Sequence, residues 1–301
     1  MAVEFTNHAA AAYIARDKGW FKEAGLNISS YETYVTGMAL AAAIARGDIQ
    51  AAYICLVPAI NAYANAGVRI KVVAGTHNYG YGLAVNPSRV KSPVDLERPE
   101  VRVGCIQLGG AADAILHKTM EKYGLDKNKI LSKVQRMNPT KQLMAIKAGR
   151  LDAAFLPEHW ATMTGDYGFS MLVTAGDVWP GMEGSVLVVK EDFISNHPEV
   201  VRKLVEITQK TTLWIHENRM EAADILARQL SLSSESLKHG DFSQSVQITP
   251  SILRESMSRL DYDTDITEKG VQEVIDYVYG LGNIRQRFAA KEILDLRFLS
   301  Q

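Results

Sequence analysis

From residue 3 to residue 190, short apolar runs alternate with amphipathic or alanine-rich stretches at helical spacing. The runs that predict strands are VEFT, LNISSYE, AAYIC, IKVVAGT, GLAVN, VRVGCI, ILSKVQRM, DAAFL, SMLVTA and SVLVVK. The stretches between them predict helices over 9–18, 37–46, 58–66, 110–123 and 140–149. Alternation at this spacing indicates an α/β fold of βαβ units, with mostly parallel, doubly wound sheets and helices on both faces.

After Phe193 the pattern becomes almost wholly helical. Pro198 stands at the first turn of a predicted helix, and apolar residues follow it at helical spacing. Further helices are predicted over 219–230, 249–261 and 267–280. The chain therefore combines alternating sheets with a helical C-terminal region.

Two near-repeats suggest that the chain has two similar halves. The segments 38–54 and 143–156 each read as a helix, a glycine turn, an acidic residue and an apolar strand with an Ala-Ala pair. Glycine provides the left-handed stop of a helix, and small residues allow close packing on a sheet. The repeat predicts one such unit in each of two lobes.

Proline and glycine between strand runs mark the expected crossings between lobes, near Asn86-Pro87 and Gly181–Gly184. We therefore expect lobe one to contain residues 1–85 plus 185–301 and lobe two residues 86–184. A ligand cleft would lie between them.

Composition narrows the class of partner. The chain has 301 residues, a formal net charge of −1, 47% apolar residues and 22% charged residues, so nothing favours a nucleic acid partner. No apolar run approaches the ~20 residues that span a bilayer. Cys55 and Cys105 lack a metal-binding spacing, so we expect small buried residues or, alternatively, a thiol in the cleft.

Ligands of doubly wound sheets bind beyond the carboxyl ends of strands, beside the N-termini of the following helices. This rule gives the candidate ligand-binding residues: Asn7, His8, Thr36, Gly37, Leu56, Pro58, His77, Tyr79, Tyr81, Gly109, Gly110, Ala111, Glu158, His159, Trp160 and Trp179. We predict no catalytic residue, no metal ligand and no cofactor.

The small residues at 36–37 and 109–112 predict two anion seats. They would let a carboxylate, sulfonate or phosphate approach free N–H groups at helix N-termini. The alternative is a pair of tight turns without a ligand.

The other candidates also have two readings. Asn7 and His8 either bind ligand or start a helix, with Asn7 as its N-cap. Glu158 either contacts ligand or caps a helix. The remaining aromatic candidates would stack on a flat ligand from loop tips or anchor their own lobe: Tyr79, Tyr81, Trp160 and Trp179.

The segment from Val3 to Ile28 carries a family resemblance. Its polar pair, small residues and Ala-x-x-x-Gly-Trp-Phe-x-x-x-Gly-Leu-x-Ile pattern resemble the opening of solute-binding proteins of ABC importers. That branch carries sulfonates, taurine, nitrate or pyrimidine precursors of thiamine. The DAAFLPEHW segment is similar to a signature of the same family.

The resemblance implies a two-lobed type II periplasmic-binding-protein fold that closes on its ligand by hinge motion. It implies a small-molecule ligand, a membrane ABC permease as partner, and a monomer. It also implies a periplasmic or extracellular location, with lipoprotein anchoring as one possibility and a signal segment outside this sequence. We expect a flat, nitrogen-bearing ligand such as a pyrimidine precursor of thiamine. A sulfonate or taurine is second, because GGAAD lacks the hydroxyl residue common at the family's equivalent turn.

Two other function classes stay open at this point. An enzyme can use the same fold, as pyrimidine synthases and a chorismate-type dehydratase do. The sequence lacks the cysteine cluster of the pyrimidine synthases and any GxSxG, HExxH, Walker or GxGxxG motif. An effector module of a transcription regulator would need a helix-turn-helix, which this sequence does not contain.

Overall fold

Two sheets organise the molecule. The computed structural model describes residues 1–47, 49–236 and 247–299, apart from the side chains of residues 235 and 236. Strands of the first sheet are ordered β11-β4-β10-β3-β1-β2 and strands of the second β7-β6-β8-β5-β9.

The strand bounds follow the chain. The six-stranded sheet contains β1 (Ala2–Glu4), β2 (Glu32–Tyr34), β3 (Ala51–Cys55), β4 (Ile70–Tyr79), β10 (Glu183–Lys190) and β11 (Leu260–Asp261). The five-stranded sheet contains β5 (Tyr81–Val85), β6 (Val103–Cys105), β7 (Val134–Arg136), β8 (Ala153–Pro157) and β9 (Ser170–Thr174).

Helices flank both sheets. They are α1 (Ala10–Asp17), α2 (Trp20–Glu23), α3 (Gly37–Arg46), α4 (Leu56–Ala66), α5 (Ala111–Lys122), α6 (Lys127–Leu131), α7 (Pro139–Lys147), α8 (Glu158–Met163), α9 (Ala175–Val178), α10 (Glu191–Asn196), α11 (Pro198–Glu217), α12 (Arg219–Ser236), α13 (Pro250–Met257) and α14 (Glu268–Gly280). Short 3-10 helices cover Asn7–Ala9, Pro93–Glu97, Thr164–Tyr167 and Ala290–Glu292. No helix in the described ranges is long and apolar enough to cross a membrane.

The sheets are mixed, whereas the sequence pattern predicted mostly parallel strands. Strand β1 pairs in parallel with β2 and β3, and β6 with β7 and β8. Strand β10 is antiparallel to β3 and β4, and β5 is antiparallel to β8 and β9. β5 enters its sheet from the other sheet through Gly80, and β10 enters through residues 175–182, which include the one-turn helix α9. Neither strand follows a crossover helix from a parallel neighbour in its own sheet.

The chain crosses between the sheets at two places. It leaves the first sheet after Tyr79 and enters the second at Tyr81, so Gly80 is the first crossing. It returns through residues 175–182 to β10. The first crossing was predicted near Asn86-Pro87, but the strand Tyr81–Val85 pairs within the second sheet.

The two near-repeats form the expected units. Gly47 follows α3 with φ +99° before β3, and Gly149 follows α7 with φ +64° before β8. Asp152 is buried and accepts hydrogen bonds from Arg102. Its counterpart in the first repeat, residue 48, lies outside the described residues. Each unit leaves the carboxyl end of its strand facing the gap between the sheets.

Candidate functional site

A small cavity lies between the two sheets. Its volume is about 30 Å³. From the first sheet and its helices it is lined by Glu4, Thr6, Val35, Thr36, Gly37, Met38, Cys55 and Pro58, and from the second by Tyr81, Ile106, Gln107, Gly110, Ala111, Ala112 and Pro157. The inter-sheet cavity therefore draws on both halves of the fold.

Two helices begin at this cavity. Helix α3 starts at Gly37, and its N-cap Thr36 accepts the backbone N–H of Ala39 at 3.3 Å. Helix α5 starts at Ala111 after Gly110, which has no side chain to cap it. The first N–H groups of a helix lack partners within the helix, so both starts can offer donors to a polar group.

A carboxylate occupies the wall of the cavity beside α3. Glu4 is 4% exposed, and its Oε1 accepts the backbone N–H of Cys55 at 2.7 Å. A Cβ built on Gly37 would lie 2.4 Å from the same oxygen, so a larger residue at this position would displace the carboxylate. Burial raises the pKa of Glu4 to about 7, and the Cys55 hydrogen bond lowers it in part.

Sequence reasoning missed Glu4. The available signal was a charged residue inside the apolar strand AVEF, where an unpaired carboxylate is costly and therefore unusual. Gln107 was missed as well. It is an isolated polar side chain in the turn between β6 and α5, so no group of polar residues marked this turn in the sequence.

Hydrogen bonds join the two halves around the cavity. Gln107 Nε2 donates to Thr36 Oγ1 at 3.2 Å. Asn61 on α4 donates through Nδ2 to the carbonyl oxygen of Gly109 at 3.1 Å. These bonds hold the sheets close together in this structure.

Six of the predicted site residues line the cavity: Thr36, Gly37, Pro58, Tyr81, Gly110 and Ala111. Gly109 directly precedes its wall and has φ +77°. Leu56 is fully buried as the first residue of α4 and belongs to the apolar core. The ligand-binding role of all these residues stays a prediction.

Three predicted histidines gather near the Gly80 crossing. The rings of His8 and His77 have centroids 4.4 Å apart, and His8 lies 5.0 Å from Tyr81. Burial lowers the pKa of His77 to about 4 and that of His159 to about 3, and it lowers the pKa of His8 well below its usual value. All three are therefore neutral at physiological pH.

The N-cap alternatives for Asn7 and Glu158 are wrong. Thr6 is the N-cap that accepts the N–H of His8, while Asn7 donates through Nδ2 to Ser256 Oγ at 3.0 Å. Glu158 is the first residue of α8, and its Oε2 accepts from Thr162 at 3.0 Å and pairs with Arg259 at 3.2 Å. Glu158 already has a cationic partner, although burial raises its pKa to about 7.

The predicted aromatics do not stand at loop tips. Trp160 lies in α8 with 0% exposure, and its ring centroid is 5.8 Å from that of Phe5. Trp179 is buried against Tyr277, with centroids 4.9 Å apart. Tyr79 ends β4 with φ +64°. Only Tyr81 of the four borders the inter-sheet cavity.

The positions of His, Cys, Asp and Glu side chains determine where a metal ion can bind. Among the described residues, no group of three or more His, Cys, Asp or Glu side chains is arranged to hold a metal ion. Both cysteines are free and buried, and burial raises the pKa of each thiol to about 12.

Comparison with known proteins identifies the fold. The model of the NMT1-like family matches residues 1–231. None of the curated proteins compared with the sequence matches it.

Solved structures resemble nearly the whole chain. The ligand-binding component of an ABC-type import system from Staphylococcus aureus, with zinc bound, is 17% identical; 99% of this chain and 96% of that one are covered, with a TM-score of 0.80. The alkanesulfonate-binding protein SsuA from Xanthomonas axonopodis pv. citri, bound to MOPS, is 14% identical over 98% of each chain, with a TM-score of 0.78.

A nitrate-binding protein has the same fold. NrtA from Synechocystis PCC 6803 is 13% identical; 99% of this chain and 85% of that one are covered, with a TM-score of 0.74. At these identities the likeness establishes the fold, which is the two-lobed fold of periplasmic binding proteins.

Proposed function

This chain belongs to the NMT1-like family, and from that premise we propose that it is the solute-binding receptor of an ABC importer. It binds a small organic molecule between its two sheets and delivers it to a membrane permease. The names of its structural neighbours, which are import-system and periplasmic binding components, support this role. They also support a periplasmic or extracellular location.

The inter-sheet cavity is the observation that carries the proposal. Residues of both halves line it, and among the described residues the backbone passes between the halves only at Gly80 and at residues 175–182. A cavity of about 30 Å³ has room for roughly one water molecule. A larger ligand therefore requires the sheets to separate, and hinge motion at the two crossings provides that opening.

The two lobes of the proposed receptor follow the sheets. Lobe one contains the six-stranded sheet and the C-terminal helices, and lobe two contains the five-stranded sheet. This division keeps the two lobes predicted from the sequence but assigns the strand Tyr81–Val85 to lobe two instead of lobe one.

The proposed ligand is a flat, nitrogen-bearing molecule, with a pyrimidine precursor of thiamine as the leading example. Tyr81 supplies an aromatic surface at the cavity, and Glu4 and the start of α5 supply polar groups of opposite character. A sulfonate or nitrate is the second candidate. Two of the structural neighbours are named for binding these anions, and α5 begins with uncapped N–H groups that an anion could accept hydrogen bonds from.

Binding is favoured over catalysis by the chemistry of the cavity wall. Its only nucleophilic thiol among the described residues, Cys55, has a pKa raised to about 12 and is therefore protonated at neutral pH. No lysine lines the described cavity, so no amine is placed for a Schiff base.

The test combines ligand capture with a measurement of closure. Native mass spectrometry of freshly purified protein should detect a retained small molecule, and calorimetry should show micromolar binding of a 4-aminopyrimidine precursor, taurine or nitrate. Small-angle scattering should show a smaller radius of gyration when that compound is bound. No retained molecule, no binding of any of the three and unchanged scattering would contradict the receptor role.

A further inference from the structure

The carboxylate of Glu4 lies at the N-terminus of α3. Its Oε1 accepts the N–H of Cys55, the N-cap residue of α4, and lies against Gly37. Its Oε2 has no hydrogen-bond partner among the described residues, although the residue is only 4% exposed and lines the cavity. The predicted anion seat of the first lobe is therefore already occupied by a carboxylate of the protein itself.

No positive charge compensates this carboxylate. Within the described ranges, no lysine, arginine or histidine forms an ion pair with Glu4. The titratable groups whose pKa Glu4 influences are Cys55 on β3, Tyr81 on β5 and Tyr13 on α1; burial is the largest cause that raises the pKa of each, and the Glu4 charge raises it further. They are neutral near pH 7. Glu158, the other buried carboxylate with a pKa near 7, has Arg259 beside it.

A buried carboxylate with a free oxygen needs a donor. In water its oxygens would each accept hydrogen bonds, and burial without a partner costs free energy that a charged or N–H-donating ligand group can recover. An anionic group in the same place would add repulsion to desolvation. Above pH 7, where Glu4 is ionised, this wall therefore favours a ligand group that is cationic or donates N–H and disfavours an anionic one.

We propose that Glu4 is the specificity-determining residue of the inter-sheet cavity: it accepts hydrogen bonds from an amino, amidine or other cationic or N–H-donating group of the ligand and excludes anions from that end. The inference rests on the proposed receptor function and deepens it.

The wall of the cavity opposite Glu4, at the start of α5, would determine how the ligand is oriented. Helix α5 begins at Ala111 without a side-chain cap, so the N–H groups of its first residues at the cavity, Ala111 and Ala112, have no partner within the helix. The N–H of Gly110 donates to the carbonyl oxygen of Gln107 at 3.3 Å. The N–H of Gly109 is not available, because Asp113 Oδ2 accepts it at 3.0 Å. A ligand with a donor end at Glu4 and an acceptor end, such as a hydroxyl or ring nitrogen, at α5 satisfies both walls.

A matched pair of ligands and a matched pair of variants test the assignment. The ligands are 4-amino-5-hydroxymethyl-2-methylpyrimidine and the same pyrimidine without its amino group. The variants are Glu4→Gln, which keeps the shape but removes the charge, and Glu183→Gln. Glu183 is also buried, but it bonds to Thr267 away from the cavity. Calorimetry at pH 8 measures each affinity, with taurine and nitrate as anionic probes.

The wild type and Glu183→Gln should bind the amino compound at least about tenfold more tightly than its counterpart, since one charge-assisted hydrogen bond is at stake. Glu4→Gln should lose most of this preference, and neither anion should bind the wild type as tightly as the amino compound. This non-additive pattern would assign the amino group to Glu4.

Three outcomes overturn the assignment, and they separate it from the receptor role. If Glu4→Gln keeps the wild-type preference, Glu4 is not the acceptor, while receptor function stands. If the wild type binds taurine or nitrate but neither pyrimidine, the sign of the site is wrong, and receptor function again stands. If the wild type binds none of the four compounds and retains no molecule in native mass spectrometry, the receptor role fails and the Glu4 assignment fails with it.

Discussion

The imidazole of His8 lies with Nε2 2.7 Å from the carbonyl oxygen of Gly80, the residue at which the chain passes between the sheets. A carbonyl oxygen only accepts hydrogen bonds, so Nε2 carries the proton and Nδ1 is bare. Nδ1 has no hydrogen-bond partner. The first crossing is therefore tied to the segment that follows β1.

We expect Gly80→Ala to destabilise the protein much more than a glycine substitution in open space. Gly80 has φ +86°, and an added Cβ would lie 2.7 Å from His8 Nε2 and 3.0 Å from His77 Cε1. Backbone strain alone costs about 1 kcal/mol, and displacement of two buried rings adds on the order of 1–3 kcal/mol. Urea unfolding at pH 7.5 measures the total decrease in the free energy of unfolding.

Gly67→Ala is the control for the backbone contribution. Gly67 has φ +63°, but no atom lies within 4 Å of a Cβ built there. Its substitution should cost about 1 kcal/mol. Equal losses in the two variants would show that the histidines do not constrain the crossing.

Replacement of Glu4 by glutamine should stabilise the ligand-free protein at alkaline pH. Burial raises the pKa of Glu4 from 4.5 to about 7, so the folded state holds a proton that the unfolded state has already lost between these values. The stability that this group contributes is complete below about pH 4.5, falls as pH rises through 7, and is constant above that. Glu4→Gln removes this decrease in the free energy of unfolding, which is on the order of 3 kcal/mol.

Urea unfolding of the wild type and Glu4→Gln at pH 5 and pH 8 provides the measurement. The free energy of unfolding should fall more for the wild type than for the variant between these pH values. Glu158 and Glu183 also have raised pKa values, but they are present in both proteins and cancel in the comparison. Glu23→Gln, at an exposed position, should follow the wild type. If the free energy of unfolding changed equally with pH in the wild type and Glu4→Gln, ionisation of Glu4 would not destabilise the folded state.

Removal of the bond between Gln107 and Thr36 should favour the open form. Gln107→Leu eliminates the Nε2 donor and leaves Thr36 free to cap α3, so the fold is preserved. A single hydrogen bond contributes about 1 kcal/mol, enough to change an open-to-closed ratio roughly fivefold. Small-angle scattering without ligand should give a larger radius of gyration for this variant. Gln135→Leu, exposed on edge strand β7, should scatter like the wild type, and so would Gln107→Leu if the bond did not influence closure.

Local sequence patterns predicted the elements where local forces dominate. The strand Ala51–Cys55 and the helix Gly37–Arg46 have the predicted bounds. The run ILSKVQRM was predicted as one strand, but its first residues end helix α6. Asp126 caps that helix by accepting the N–H groups of Asn128 and Lys129, a signal that the apolar run obscured.

The family and the two-lobed fold expected from the opening segment are confirmed. The candidate site was only partly accessible to sequence reasoning. Thr36 and Gly110 could be placed because helices start there, and a helix start is a local property. Glu4 could not be placed, since its environment depends on Gly37 and Cys55, which reach it only through the parallel pairing of three strands.

The burial of Trp160 depends on the same long-range packing and leads to the last prediction. Trp160 was expected at a loop tip, where loss of its ring would affect binding and not stability. It is fully buried in α8 instead, with its ring centroid 5.8 Å from that of Phe5 and 4.8 Å from that of His159.

Trp160→Ala should therefore lower the free energy of unfolding by about 3–5 kcal/mol, the range for deletion of a large core side chain. Tyr279→Ala removes a ring that is 44% exposed and should change it by no more than about 0.5 kcal/mol. Near-equal unfolding midpoints in urea would place Trp160 outside the core and restore it as a stacking residue.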